Sequence, residues 1–169
     1  MWDLSSKYAI VGVGESERSK NSGTTPLHLA LRASRNALAD AGLEAKDIDA
    51  VMSYSEHDSC TSHQVSTYLG VRPKYVKDII GGGSSTELLI GDAIALIEAG
   101  QANTVLIFRA MNGRSGMRMG GGGWSTDLLQ NAIDGGSFII PYGMASPSQW
   151  FGMFATRHMH EAGLTQEHL

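Results

Sequence analysis

The segment Gly81-Gly82-Gly83 followed by residues 84–99 constrains the fold more than any other part of the chain. Leu88, Leu89, Ile90, Ala93, Ile94, Ala95, Leu96 and Ile97 cover nearly the whole circumference of a helix, leaving Glu87, Asp92 and Glu98 as its polar residues. A surface helix carries one apolar stripe; a helix apolar all round needs protein on every side. The spacing therefore predicts a buried helix over 84–99 inside a layered fold. Ser84 with Glu87 three residues on matches a capping box, and the glycines let backbone and ligand approach the helix start closely. Free N–H groups and the helix dipole favour negative charge there, by roughly 0.3–1 kcal/mol at an exposed site. Two readings stand: a capped core helix after a glycine turn, or an active-site helix.

The flanking sequence alternates strands and helices. Tyr8–Val13 reads as a short β-branched strand ended by Gly12-Val13-Gly14. Thr24 or Thr25 caps a helix with Pro26 in its first turn, apolar residues at Leu27, Ala30, Leu31, Leu38 and Ala41, and Gly42 as its stop. Strands are predicted at Ile48–Tyr54, Tyr75–Ile80 and Thr104–Arg109, with a short helix at Gln64–Leu69 closed by Gly70. This order implies an α/β fold with a mostly parallel sheet. The rhythm breaks from Asn112 to Ala145, a stretch long enough to be a functional loop, and resumes as a helix over Ser148–Ala162. The reading is a core over 1–111, then a loop region and helix over 112–169, with the chain stopping mid-fold.

Composition narrows the function classes. With 42% hydrophobic and 18% charged residues the chain is not disordered as a whole. A net charge of −4 argues against nucleic acid as a partner, since that requires a basic face. No apolar run approaches the roughly 18 residues needed to span a bilayer, and no secretory signal opens the chain. A single cysteine, Cys60, excludes a disulfide framework and a thiolate-rich metal site. A cytoplasmic protein with no metal site is expected.

Weaker motifs each have a plainer explanation. Gly12-Val13-Gly14 lacks the third glycine of a dinucleotide fingerprint, which Glu17 replaces, and no helix follows at once. His57, Asp58, Cys60 and His63 match no standard zinc spacing. His158 and His160, two apart on a helix, do not share a face. Arg109, Arg114, Arg118 and Lys74 are candidates for holding phosphates, against solvated surface charge. Met111, Met117, Met119, Met144, Met153 and Met159 suit either core packing or a greasy pocket, as do Trp124, Phe138, Tyr142, Trp150 and Phe151.

Taken in order, these pieces resemble a known family. Gly81-Gly82-Gly83-Ser84-Ser85-Thr86, the apolar helix, Glu98-Ala99-Gly100-Gln101-Ala102-Asn103 and Val105-Leu106-Ile107 resemble the N-terminal half of a thiolase. The likeness is strongest to the sterol-carrier-protein-type thiolase-like branch, which includes lipid-transfer proteins and aldolases. Ala9–Ser16, Tyr68–Val76 and the tail from Trp150-Phe151-Gly152 through Arg157-His158-Met159 to Glu167 resemble it too.

The resemblance implies a thiolase-like layered fold and a coenzyme A thioester as substrate, with no other cofactor. In thiolases a cysteine at this helix start accepts the acyl group; the matching position here is Gly83 or Ser84. Serine needs an adjacent general base, and none is evident, so covalent acyl chemistry is not expected. Cysteine-lacking relatives cleave a carbon–carbon bond by retro-aldol reaction on a β-hydroxyacyl-CoA, typically a steroid side chain, with an OB-fold (DUF35-type) partner subunit. The resemblance also implies a homodimer. On this reading Ser84 is the candidate catalytic residue, and Gly82, Gly83, Ser85, Arg114, Arg118, Met119, Trp150, Met153 and His158 are substrate-binding candidates. Residues 112–169 would cover the substrate pocket. The family's histidines and second cysteine lie in a C-terminal half that these residues do not include, so an acyltransferase or aldolase is expected to act only when complete. The competing reading is a thiolase homologue that serves as a non-catalytic acyl-CoA or lipid-binding scaffold.

Overall fold

A computed structural model describes residues 6–55, 59–81, 83–113, 138, 140–142 and 147–168. The chain divides into two compact units, Met1–Met117 and Arg118–Leu169.

The first unit is built on three parallel strands, β1 (Ala50–Tyr54), β2 (Tyr75–Ile79) and β3 (Val105–Phe108), in the order β2-β1-β3. Ala50 is aligned with Tyr75 on one side and Val105 on the other, so all three strands start level. Every residue of β1 is buried, as a central strand covered on both faces requires. Helices α1 (Pro26–Ala41) and α2 (Ser62–Leu69) cover one face, where Ala30, Leu38, Val51, Cys60, Val65, Leu106 and Phe108 form a core. Helix α3 (Ser85–Glu98) covers the other, where Ala50, Met52 and Tyr54 meet Leu89, Ala93 and Leu96. Lys77 of β2 reaches Asp92 of α3 at 2.7 Å, and that hydrogen bond raises its pKa.

Local chemistry explains the helix limits. Thr25 accepts from the His28 N–H and Pro26 sits in the first turn, while Gly42 ends α1 at φ +66°. Thr61 and Gln64 form a reciprocal capping box on α2, which Gly70 closes at φ +76°. Asp78 of β2 adds a carboxylate at the same helix start, accepting from the Ser62 backbone N–H at 2.8 Å and its hydroxyl at 3.0 Å.

Two expectations need correction. Tyr8–Val13 is not a strand, and Ile10, Val11 and Val13 are exposed. Its residues pair with no strand among the described residues, and β-branched composition does not make a strand without a partner ladder. The segment lies along α1 instead. A Cβ at Gly12 would come within 2.4 Å of the Ala37 carbonyl, and one at Gly14 within 2.2 Å of the Ala33 carbonyl. These glycines permit backbone-on-helix packing, which accounts for the pair without a dinucleotide.

The capping box at α3 is absent. Ser84 already has right-handed helical dihedrals and makes no side-chain cap bond, so its hydroxyl is not placed to accept from the first turn. Helix α3 is covered on its sheet side, and the protein expected to lie over its other side is not among the described residues. Leu89 is fully buried against β1, but Leu88 is 60% and Ile90 40% exposed.

The second unit contains helix α4 (Pro147–Ala162), with a 3₁₀ turn before it at Ile140–Tyr142 and another after it at Gln166–His168. The described helices contain none long and apolar enough to cross a membrane.

Candidate functional site

In a parallel sheet flanked by helices, the crevice outside the carboxyl ends of the strands is the natural place for a ligand. Here that rim comprises Tyr54, Ile79-Ile80-Gly81 and Phe108-Arg109-Ala110, with the start of α3 beside it. Gly83 and Ser84 are exposed at that start, and Ser85 is buried at the first helical position. A Cβ at Gly81 would stand 3.1 Å from the Ser85 hydroxyl, so Ser85 turns back toward the glycine turn. At Gly83 an added Cβ would meet nothing within 4 Å. The backbone there has room for a side chain and carries none.

Arg109 closes the rim between β1 and β3. Its Nη1 donates to the Tyr54 carbonyl at 3.0 Å and to the Ala110 carbonyl at 3.3 Å. Its guanidinium carbon lies 4.3 Å from the centroid of the Tyr54 ring, a cation–π distance. The cation is thus held at the end of the central strand.

Cys60 is no substitute nucleophile. It is buried in the core on the α1–α2 face. Burial first, and the negative charge of Asp78 second, push its thiol up to about 11, with Arg109 opposing. A thiol so held is protonated at neutral pH and poorly nucleophilic.

Of the sequence candidates, Gly83, Ser84 and Ser85 come together at the α3 start. Lys74 does not join them: it sits at the amino end of β2, bonded to Asp49 at 2.9 Å. The strand's length, about 16 Å for five residues, separates it from the carboxyl rim. Trp150, Met153 and His158 lie on α4 of the second unit, all exposed. Trp150 and Met153, three residues apart, are neighbours on that helix. Phe151 and Phe154 meet edge to face at 6.3 Å. Gly82, Arg114, Arg118 and Met119 lie outside the described residues, as do His57, Asp58 and Trp124.

Sequence reading missed two polar anchors. Asp49 gathers the amino ends of all three strands, and Asn112 ties the exit of β3 to the entry of α1. An Asn-Gly pair shortly after a strand, separated from its end by three residues, was the visible sign of the second, and it signals only a turn.

No family profile matches the chain. It is 38% identical over 161 residues to a steroid side-chain-cleaving aldolase of Thermomonospora curvata, covering 94% of this chain and 41% of that protein. It is 37% identical over 166 residues to a 17-hydroxy-3-oxo-4-pregnene-20-carboxyl-CoA lyase of Mycobacterium tuberculosis, covering 96% and 42%. Among solved structures, an Ltp2–ChsH2(DUF35) aldolase superposes with a TM-score of 0.75 at 35% identity, over 93% of this chain and 39% of that one. A monomeric SCP2-thiolase-like protein of Mycobacterium smegmatis superposes with a TM-score of 0.53 at 30% identity, over 61% and 23%. The chain is thus similar to thiolase-like proteins of the lipid-transfer-protein and aldolase branch. It spans about two fifths of the length of the aldolase and lyase it matches. As a thiolase-like chain it is notable for what stands at the α3 start, a glycine and a serine with no thiol.

Proposed function

We propose that the protein containing this chain is an acyl-CoA lyase of the retro-aldolase type. Its substrate is a β-hydroxyacyl-CoA bearing a steroid or similarly bulky acyl chain. A base removes the proton of the β-hydroxyl group, and the carbon–carbon bond between the α and β carbons breaks. Its electron pair becomes the enolate of the departing thioester, which takes up a proton at the α carbon. The products are a carbonyl compound and a shortened acyl-CoA. No redox partner and no covalent acyl intermediate enter this balance.

The observation that carries the reading is the exposed start of α3, with open space at Gly83 and no thiol, in a chain whose relatives are named aldolase and lyase. Backbone N–H groups at a helix N-terminus suit a developing enolate oxygen, with stabilisation present only as charge develops. Ser84 and Ser85 position the thioester; they do not attack it. Gly82, Gly83, Arg114, Arg118, Met119, Trp150, Met153 and His158 complete the proposed substrate contacts, and no cofactor beyond the coenzyme A of the substrate is required.

The protein works, on this reading, as a cytoplasmic homodimer with a DUF35-type partner subunit. The DUF35-containing aldolase neighbour supports the partner.

The deciding experiment uses the full-length polypeptide with its DUF35-type partner. Release of acetyl- or propionyl-CoA from a β-hydroxyacyl-CoA, with no mass increase on the protein after incubation with acetyl-CoA, is the expected result. A stable acyl adduct on Ser84 would overturn the non-covalent step. Tight binding without turnover would favour a scaffold.

A further inference from the structure

We propose that Asn112-Gly113 is a modification site held in check by the fold. Freed from Ser22 and Thr24, the asparagine closes on Gly113 to a succinimide and reopens as aspartate or isoaspartate. The reagent is water, and the inference stands apart from the lyase reading above.

The sequence singles out this pair. Asn21, Asn36, Asn103 and Asn131 precede serine, alanine, threonine and alanine; Asn112 alone precedes glycine. Ring closure needs the backbone nitrogen of the following residue to reach the asparagine Cγ, and a side chain on that residue obstructs the approach. Glycine has none and gives the backbone its widest freedom. The steps balance without a redox partner. Hydroxide removes the Gly113 N–H proton, and the nitrogen bonds to Cγ of Asn112. The Cγ–Nδ2 bond breaks and ammonia leaves. Water then adds to either ring carbonyl: one opening gives aspartate, the other isoaspartate, whose main chain runs through the former side-chain carbon.

The structure opposes the first bond. Cγ meets the Gly113 nitrogen only if the side-chain amide swings over its own main chain, and that amide is pinned at both ends by another segment. Its Oδ1 accepts from the Ser22 hydroxyl at 2.6 Å, and its Nδ2 donates to the Thr24 carbonyl at 2.6 Å. The pinning groups are themselves placed: the Thr24 N–H donates to the Ser22 hydroxyl at 3.3 Å, and the next residue, Thr25, caps α1. The backbone leading into Asn112 is held as well, since Arg109 donates to the Tyr54 carbonyl at 3.0 Å and Ala110 is buried. A swing of the amide breaks both of its bonds at once.

Conversion removes the tie in turn. A carboxylate in place of the amide has no donor for the Thr24 carbonyl and sets oxygen against oxygen. The contact that joins the exit of β3 to the entry of α1, across ninety positions of sequence, is then lost for good. A molecule that has once opened here carries a covalent mark that hinders its return.

The test ages the full-length polypeptide at mildly alkaline pH, native and in guanidinium chloride. The tryptic peptide Ala110–Arg114 is followed by mass spectrometry and by isoaspartyl methyltransferase labelling. Loss of two hydrogen bonds predicts conversion at least about tenfold faster in denaturant than in the native protein. Native Ser22→Ala, which removes one of them, converts about fivefold faster than native wild type. In denaturant Gly113→Ala converts far more slowly than wild type. Native wild type converting as fast as the unfolded chain, or folded Ser22→Ala no faster than wild type, would overturn the protection. Conversion in denaturant as fast with alanine at 113 as with glycine would overturn the site. Asn112→Asp, the product made directly, melts below wild type; an unchanged melting temperature would overturn the loss of the tie. The comparisons of wild type with its unfolded chain and with Gly113→Ala decide the matter even where Ser22→Ala fails to fold.

Discussion

The carboxylate of Asp49 accepts the backbone N–H of Asn103 at 2.8 Å, joining the foot of β1 to the foot of β3. The other carboxylate oxygen takes the Lys74 ammonium at 2.9 Å, and the Asp49 carbonyl accepts the Lys74 N–H at 2.7 Å. The Asn103 bond first, and Lys74 second, lower the Asp49 pKa from 3.8 to about 2. A carboxyl depressed on folding contributes stability above its unfolded pKa and loses it as pH falls through the folded value. Asp49→Asn is therefore expected to lower stability by about 1–2 kcal/mol at pH 7, with the gap from wild type closing between about pH 4 and pH 2. Urea unfolding of both proteins across that range measures it; a gap independent of pH would assign the loss to geometry, not charge.

The close approach of Gly14 to α1 gives a second prediction. An alanine there would place its Cβ 2.2 Å from the Ala33 carbonyl and the Ala37 nitrogen, both backbone atoms of the helix. Gly14→Ala is expected to destabilise by about 1–3 kcal/mol, the usual range for overpacking. An unchanged melting temperature would mean that the segment does not rest on α1 in solution.

Leu88 and Leu89 are adjacent on α3 and differ sharply in surroundings. Leu89 has no exposed surface and packs on β1, so Leu89→Ala should cost about 2–5 kcal/mol. Leu88 is exposed in this chain, and Leu88→Ala should stay within about 0.5 kcal/mol here. In a polypeptide of the relatives' length, a loss at Leu88 of about 2 kcal/mol or more would mean that this side of α3 is covered there.

Cys60 supplies a chemical prediction. Its burial and raised pKa should leave it unreactive toward iodoacetamide at pH 7–8 in the native protein, with full labelling only on unfolding. In the full-length polypeptide Cys60→Ala should keep kcat of the proposed cleavage within about threefold, because that mechanism uses no thiol. A loss of a hundredfold in kcat with the fold intact would count against that mechanism.

What the sequence made legible were the features encoded over a few residues. Thr25 with Pro26 and Gly42, and Thr61 with Gln64 and Gly70, mark α1 and α2 because each cap bonds to backbone three or four positions away. The strands β1, β2 and β3 were recognisable within one or two residues of their limits. Tyr8–Val13 misled because a strand is defined by its neighbour, and its composition cannot reveal that no neighbour pairs with it. Ser84 misled in a different way: the right residue types for a capping box stand at the right spacing, yet its backbone has already entered the helix. The placement of Gly83, Ser84 and Ser85 was readable from the glycine run. The roles of Asp49 and Asn112 were not, since their partners lie 54 and 90 positions away.

The two ends of the sheet are held by different chemistry. At the foot, a single carboxylate binds the starts of all three strands through charge and backbone. At the rim, Arg109 and Asn112 hold the connecting backbone through neutral carbonyls, a hydroxyl and a ring face. Such a platform tolerates remodelling of its upper edge without being unmade below. That asymmetry gives a physical route by which one scaffold can lose a nucleophile, gain another chemistry, and still fold.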